Sequence, residues 1–375
     1  MFIDSKSNLN VIILAAGFGK RLRPISSRIP KPLIDINGES IVSRIILNFK
    51  QAGFDKFLII VGYKKELVMK EVSKIKDIKI KFIEQKRPSG MADAVGLAFT
   101  TLIISKTGPV NFFITAADII FSKEEILKMY NLFMNTNSKM VLSLMKSYDH
   151  EIARGHGNVK ILKGSDLTLD IDPNQGLQII NIIEKPRNDQ ILSEYYSLPL
   201  YLVKSKVTNY FHSVEISERG EKEFQDIIKF SIDNGDNVRG IRIIETLINS
   251  ENVGKYHLTN LKDILKMNFR FLSGKIPRQF KSKTIKIIEP VKIDKDSRIE
   301  NKVTLGPNVI IHKSCKIADY CELTNVILNK SVSLSKRCKL NWCIIDENAS
   351  LPENFQAENS YITSNKNLDL EVISF

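Results

Sequence analysis

The chain has 375 residues, 43% hydrophobic and 26% charged, enough for one large globular domain and a smaller second one, each with its own core. Its four cysteines all follow residue 314 without a C-x-x-C spacing, which argues against a disulfide framework or a zinc site; the apolar run 11–16 behind a polar N-terminus is too short for a signal core or a bilayer span, so a soluble, cytoplasmic protein with no membrane partner is expected. The net charge of +13 concentrates over residues 255–316, with fifteen Lys or Arg against five Asp or Glu, but the few aromatic residues there are not spaced among the basic residues as a stacking platform would require, and no nucleic-acid partner is expected.

Residues 11–38 read VIILAAGFGKRLRPISSRIPKPLIDING. An apolar strand ending in Leu14, Ala15 and Ala16 runs into a loop with Gly17 and Gly19, followed by Lys20, Arg21, Arg23 and Lys31, with no acid before Asp35. The glycines allow positive φ and close approach, so successive N–H groups can point at phosphate oxygens. Pro24, Pro30 and Pro32 stiffen the stretch that carries the cations. A triphosphate suits this arrangement.

Further apolar runs at 57–62, 80–84, 110–115 and 140–145 have the look of strands buried on both faces. Helical candidates lie between them at 39–53, 91–104 and 123–137. This rhythm predicts an open α/β sheet, mixed but mostly parallel, with ligands bound beyond the carboxyl ends of its strands. Asp118 follows the run 110–115 and is expected at such an end, where an oxygen ligand for a magnesium ion is needed. The segments EQKRPSGMADA (84–94), GHGNVKI (155–161), IINIIEKP (179–186) and YYSLPLY (195–201) add Gln85, Gly90, Gly157, Glu184, Lys185 and Ser197.

Apolar spacing over 256–272 is helical, and a basic stretch follows through Pro290. From residue 285 helix signals stop. Apolar residues recur every six positions at Ile293, Ile299, Leu305, Ile311, Ile317 and Leu323, and after a shortened step at Leu328, Leu334 and Leu340, then Ile345 and Leu351. Small residues fill the fifth positions, Ser297, Val303, Val309, Cys315, Cys321, Val332, Cys338 and Ala349 among them, while Cys343 falls in an irregular step beside Trp342. A hexapeptide period is the signature of a parallel β-helix. The expected organisation is an α/β domain over 1–255, a helical and basic linker over 256–284, the repeats over 285–355 and a tail over 356–375.

The pattern LAAGxGxRLxPxxxxxPKPLxxxxG, filled from Leu14 to Gly38, resembles the sugar-1-phosphate nucleotidyltransferase, or NDP-sugar pyrophosphorylase, family; the repeats resemble the left-handed β-helix appended to many of its members. The resemblance implies a Rossmann-like domain that joins a nucleoside triphosphate to a sugar 1-phosphate and releases pyrophosphate. It assigns Leu14, Ala15, Ala16, Gly17, Gly19, Gln85 and Gly90 to the nucleotide, with Gln85 favouring dTTP or UTP because an amide offers the donor and acceptor of a pyrimidine edge. Arg21, Lys31 and Lys185 become the catalytic cations, and Gly157, Glu184 and Ser197 line the sugar pocket. Asp118 becomes a ligand of Mg2+ or, alternatively, Mn2+. The second metal carboxylate of the family aligns with His257, a poor magnesium ligand. The resemblance also implies a homo-oligomer, dimer or trimer, formed through the repeats. Two further readings are a non-catalytic regulatory subunit of the same fold and a bifunctional enzyme whose repeats transfer an acyl group, with His312 as their only histidine.

Overall fold

A computed structural model describes residues 6, 9–103, 111–162, 174–274, 276–280, 284–364 and 369–375. The chain divides into two compact units, one of Met1–Asp35 with Glu39–Val253, the other of Ile36–Gly38 with Gly254–Phe375. Part of the predicted basic stretch, residues 275 and 281–283, lies outside the described residues.

In the first unit, β1 (Leu9–Ala15), α1 (Ile41–Gln51), β2 (Lys56–Val61), α2 (Lys65–Val72), β3 (Lys79–Glu84), α3 (Met91–Ile103) and β4 (Asn111–Ala116) alternate. Then come α4 (Lys123–Thr136), β5 (Met140–Lys146), β6 (Gly157–Ile161), β7 (Leu177–Glu184), β8 (Tyr195–Lys204), α5 (Phe224–Asp233) and β9 (Val238–Arg242). Two of these helices begin on a serine cap that the sequence supplies. Ser40 accepts from Ser43 N–H at the start of α1, and Ser122 with Glu125 forms a capping box at the start of α4, which ends on Asn137 in the left-handed region. The inner face of α1 buries Ile45, Ile46 and Phe49, and Phe49 meets Phe113 of β4 edge-on at 5.2 Å.

Among the described residues the strands form one sheet in the order β3-β2-β1-β4-β8-β5-β9-β7-β6. Its first half is parallel, as expected: β1 pairs with β2 and β4, and β2 with β3, all in parallel. The second half corrects the expectation of a mostly parallel sheet. Strand β8 runs antiparallel to β4, β5 and β6, and β7 antiparallel to β6 and β9. Parallel neighbours need a long crossover, whereas no helix of the α1 to α5 series lies between β5 and β8. The run at 80–84 is also an edge strand, with Lys79 and Lys81 exposed, rather than one buried on both faces.

In the second unit, short strands stack in parallel on the strand one turn of chain earlier. Ile293 pairs with Ile311, which pairs with Leu328, then Ile345 and Ile362. The offset between partners is eighteen residues at first and seventeen afterwards. The shortened step arises at corners where one residue in the left-handed region, Asn325 (φ 54°), Trp342 (φ 51°) or Asn359 (φ 47°), turns the chain. Asn reaches that region at low cost. The apolar positions named above are buried except Ile299, which is half-buried.

Three expectations change here. Cys343 is not an irregularity: it is buried in register between Val326 and Ser360. Residues 356–364 are no tail, since Gln356–Ser364 is the next parallel strand, closed by the antiparallel strand Leu370–Ser374. The helix α6 (Leu261–Arg270) is no linker, because it packs within the second unit on the strands Glu322–Leu328 and Lys339–Ile345. Phe269 meets Trp342 at 5.9 Å, and Lys262 donates to Asn359 at 3.2 Å.

Candidate active site

The carboxyl ends of β1, β2 and β4 share one edge of the sheet, and the glycine loop leaves it after Ala15. The Ala117 N–H donates to the Leu14 carbonyl at 3.0 Å and the Tyr63 N–H to the Ala16 carbonyl at 3.2 Å, which fixes the loop's start. A Cβ on Gly17 would meet nothing within 4 Å, so this turn faces open space. Gly19 has a φ of 70° and begins the short turn Lys20–Leu22; a Cβ there would press on Lys31 Cβ at 3.2 Å. Arg21 is exposed and makes no ion pair among the described residues. Lys31 Nζ lies 2.7 Å from Asp118 Oδ2, a half-buried pair. Asp118 is not spent as a helix cap, because Ser122 caps α4. A carboxylate is a hard oxygen donor of the kind that suits a divalent cation.

The second element lies after β3. The Gln85 N–H donates to the Val61 carbonyl at 2.9 Å, and its Nε2 donates to the Gly90 carbonyl at 3.3 Å and to Asp93 Oδ2 at 2.9 Å. The amide donors thus hold the loop's own shape. Gly90, at a φ of 104°, passes so close to Lys222 that a Cβ would sit 2.4 Å from the Lys222 carbonyl oxygen.

The third element is a small pocket on β6, β7, β8 and α5. Gly157 pairs with Glu184 across β6 and β7. The Cβ it lacks would fall 2.8 Å from Ser197 Oγ, 3.0 Å from Glu184 Oε2 and 3.2 Å from Gln225 Cγ. Ser197 Oγ donates to the Gly157 carbonyl at 3.3 Å. Gln225 Nε2 donates to the buried Tyr201 hydroxyl at 3.3 Å. The Glu184 side chain is 11% exposed, its Oε1 lies 3.4 Å from Lys185 Nζ, and its buried Oε2 has no hydrogen-bond partner among the described residues. Burial, reinforced by the charge of Glu223, pushes the Glu184 carboxyl up to about 7 against the pull of Lys185. Burial and the neighbouring Glu184 likewise push the Tyr201 hydroxyl up, so that it keeps its proton. Lys185 is held at a φ of 44°, its N–H donating to the His156 carbonyl at 3.3 Å.

The strand registers bring these groups to one end of the sheet. Thr115 stands opposite Leu200, so β4 continued to Asp118 and β8 followed back to Ser197 run to the same edge. His257 falls in the second unit, half-buried just before α6. Sequence reasoning missed Tyr201, Gln225 and the pair of Arg219 with Glu223, joined at 2.8 Å beside the pocket. Their one signal was the charged run ERGEKE at 218–223 ahead of a helix, which reads equally as solvated surface. Among the described residues no three His, Cys, Asp or Glu side chains group as a ready-made metal centre.

Residues 287–370 match the GMPPB C-terminal domain family. The chain is 29% identical over 315 residues to the bifunctional protein GlmU of Methanococcus maripaludis strain S2, covering 82% of this chain and 62% of that protein. It is 23% identical over 238 residues to the UTP–glucose-1-phosphate uridylyltransferase AglF of Haloferax volcanii, covering 63% and 88%. A solved UDP-glucose pyrophosphorylase shares the fold at 17% identity and a TM-score of 0.51, over 62% of this chain and 90% of that one. The chain thus spans about three fifths of the length of the GlmU relative. Residues 10–243 match the Nucleotidyl transferase family, and with the glycine loop, the Lys31–Asp118 pair and the Glu184 pocket on its sheet the chain belongs to that family.

Proposed function

We propose that the first unit transfers a nucleotidyl group from UTP or dTTP to a sugar 1-phosphate, giving a nucleotide sugar and pyrophosphate. The observation that carries this reading is Glu184 Oε2, a buried acceptor without a donor in a pocket ringed by Gly157, Ser197 and Gln225, with a lysine alongside. Such an acceptor suits sugar hydroxyls, and the Lys185 ammonium suits the phosphate on the same sugar. The sugar-phosphate oxygen forms a bond to the α-phosphorus, and the bond from that phosphorus to the bridging oxygen breaks, its electron pair leaving with pyrophosphate. Arg21, exposed on the glycine loop, forks onto the departing phosphates; Lys31 neutralises charge beside them. A divalent cation, magnesium or manganese, held by Asp118 supplies further charge neutralisation when bound. His257, which belongs to the second unit, supplies no ligand in this reading.

The relative AglF, named for UTP and glucose 1-phosphate, supports uridine as the base. The second unit is read as a left-handed parallel β-helix that joins copies into a dimer or trimer; its parallel stacking supports the β-helix, while handedness and assembly rest on the resemblance. A cytoplasmic location completes the reading, and no helix among the described residues is long and apolar enough to cross a membrane. The test is pyrophosphate release from a panel of triphosphates paired with glucose, N-acetylglucosamine and mannose 1-phosphates in the presence of magnesium. Release with a uridine or thymidine triphosphate is expected, and no release from any pair would sink the proposal.

A further inference from the structure

Two backbone hydrogen bonds join the loop after β3 to the segment before α5. The Lys222 N–H donates to the Ser89 carbonyl at 2.8 Å, and the Ala92 N–H donates to the Lys222 carbonyl at 3.0 Å. Gly90 lies between these two bonds and is the residue that lets the chains approach, since a Cβ there would stand 2.6 Å from Lys222 N and 2.4 Å from its carbonyl oxygen. On one side of this bridge Gln85 clamps the loop through Gly90 and Asp93. On the other side the chain leads at once into the pocket wall. Glu223, the next residue, accepts from Arg219 at 2.8 Å and from Ser217 Oγ at 3.2 Å. Gln225, three residues from Lys222, lies against Gly157 and donates to Tyr201. Both residues are buried, and Gln225 stands in the first turn of α5, so no long or slack connection separates the bridge from the pocket.

Resting on the reading above, we propose that the Lys222 main chain and Gly90 couple the two substrates: a nucleotide seated on the loop after β3 fixes Gln225 and Glu223 in the arrangement that receives the sugar. Gly90 is then a positioning residue, its role being the close approach to Lys222 rather than contact with the base. Linkage makes the effect reciprocal, so the sugar phosphate in turn tightens the nucleotide.

Hydrogen exchange read by mass spectrometry, with UTP and magnesium but no sugar phosphate, tests the coupling. In the unaltered protein UTP slows exchange of the amides of 17–22, where it binds, and also of 223–230. Ala92→Pro deletes the donor to Lys222 in the first turn of α3, where proline is tolerated, and Gly90→Ala forces the two segments apart. In Ala92→Pro UTP still protects 17–22, while its protection of 223–230 falls about tenfold, and Gly90→Ala loses protection of 223–230 likewise. For Ala92→Pro the KM for sugar phosphate rises about tenfold, with the KM for UTP held within about threefold, a split that uniform destabilisation does not produce. Protection of 17–22 without protection of 223–230 in the unaltered protein, or equal protection of 223–230 in both variants, overturns the coupling. No protection of 17–22 in the unaltered protein overturns the nucleotide-binding reading beneath it, and the coupling with it.

Discussion

Arg21 and Glu184 stand at opposite extremes of cost. Arg21 is exposed and unpaired among the described residues, so its removal costs the fold little while the transition state loses a cation. Arg21→Ala is expected to lower kcat by about 10²–10³-fold with an unchanged melting temperature; a fall in kcat of less than about fivefold would remove it from the site. Glu184 is a burden on the fold. Burial pushes its carboxyl up to about 7 from the ordinary carboxylate range near 4.5, so between those values the folded state holds a proton that the unfolded state has released. Stability therefore falls as pH rises through that window, by about 3 kcal/mol in all. Glu184→Gln, which carries no charge to bury, is expected to gain stability over the parent at pH 8 but not at pH 4.5 in urea unfolding, and to lose sugar-phosphate binding. Gly157→Ala would press a methyl against Ser197 Oγ and Glu184 Oε2; the KM for sugar phosphate should rise while that for the triphosphate does not, as paired titrations would show. The individual polar groups of the site were legible in the sequence where a motif frames them, as with Arg21, Lys31, Asp118 and Glu184. Gln225 and Tyr201 were not, because a glutamine in an amphipathic helix and a tyrosine in an apolar strand look like any others until the fold sets them 3.3 Å apart.

Elements follow from local chemistry more faithfully than from any wider pattern. The helices expected at 39–53, 91–104 and 123–137 appear within a few residues of those bounds, at 41–51, 91–103 and 123–136, because a 3.6-residue apolar spacing acts within one or two turns, sharpened at 41 and 123 by the Ser40 and Ser122 caps. The hexapeptide spacing likewise marks the inward positions of the second unit. Leu323 is wholly buried in register between Leu305 and Leu340, and Leu323→Ala should cost about 2–5 kcal/mol, measured by denaturant unfolding; a cost under about 1 kcal/mol would show that the stack collapses around the gap. The other side of the same strands escaped notice. Ile310, Ile327, Ile344 and Tyr361 alternate with the inward residues and are nevertheless buried, and α6 packs on two of the strands that carry them. A period of six records what faces in, and says nothing of which helix comes to cover the outer face.

The whole molecule carries +13 and is proposed to gather two anions. Electrostatic attraction of this kind is screened by salt, so the KM for the triphosphate should rise roughly three- to tenfold between low and high ionic strength, measured at constant magnesium; a flat profile would assign the positive surplus no part in capture. The sequence by itself determined the division into an α/β unit and a repeat unit, the glycine loop with its cations, and the strand that delivers Asp118. Each of these is written in contiguous residues, by periodicity, turn chemistry or the absence of acids among bases. Only the tertiary structure decided the antiparallel pairings of β7 and β8, the home of α6, and the pocket that joins Gly157, Glu184, Ser197 and Gln225. It also decided the crossing of Gly90 over Lys222, more than a hundred residues away along the chain. Those features depend on which distant segments pair and how closely, and a backbone contact between remote segments leaves no spacing in the sequence to betray it.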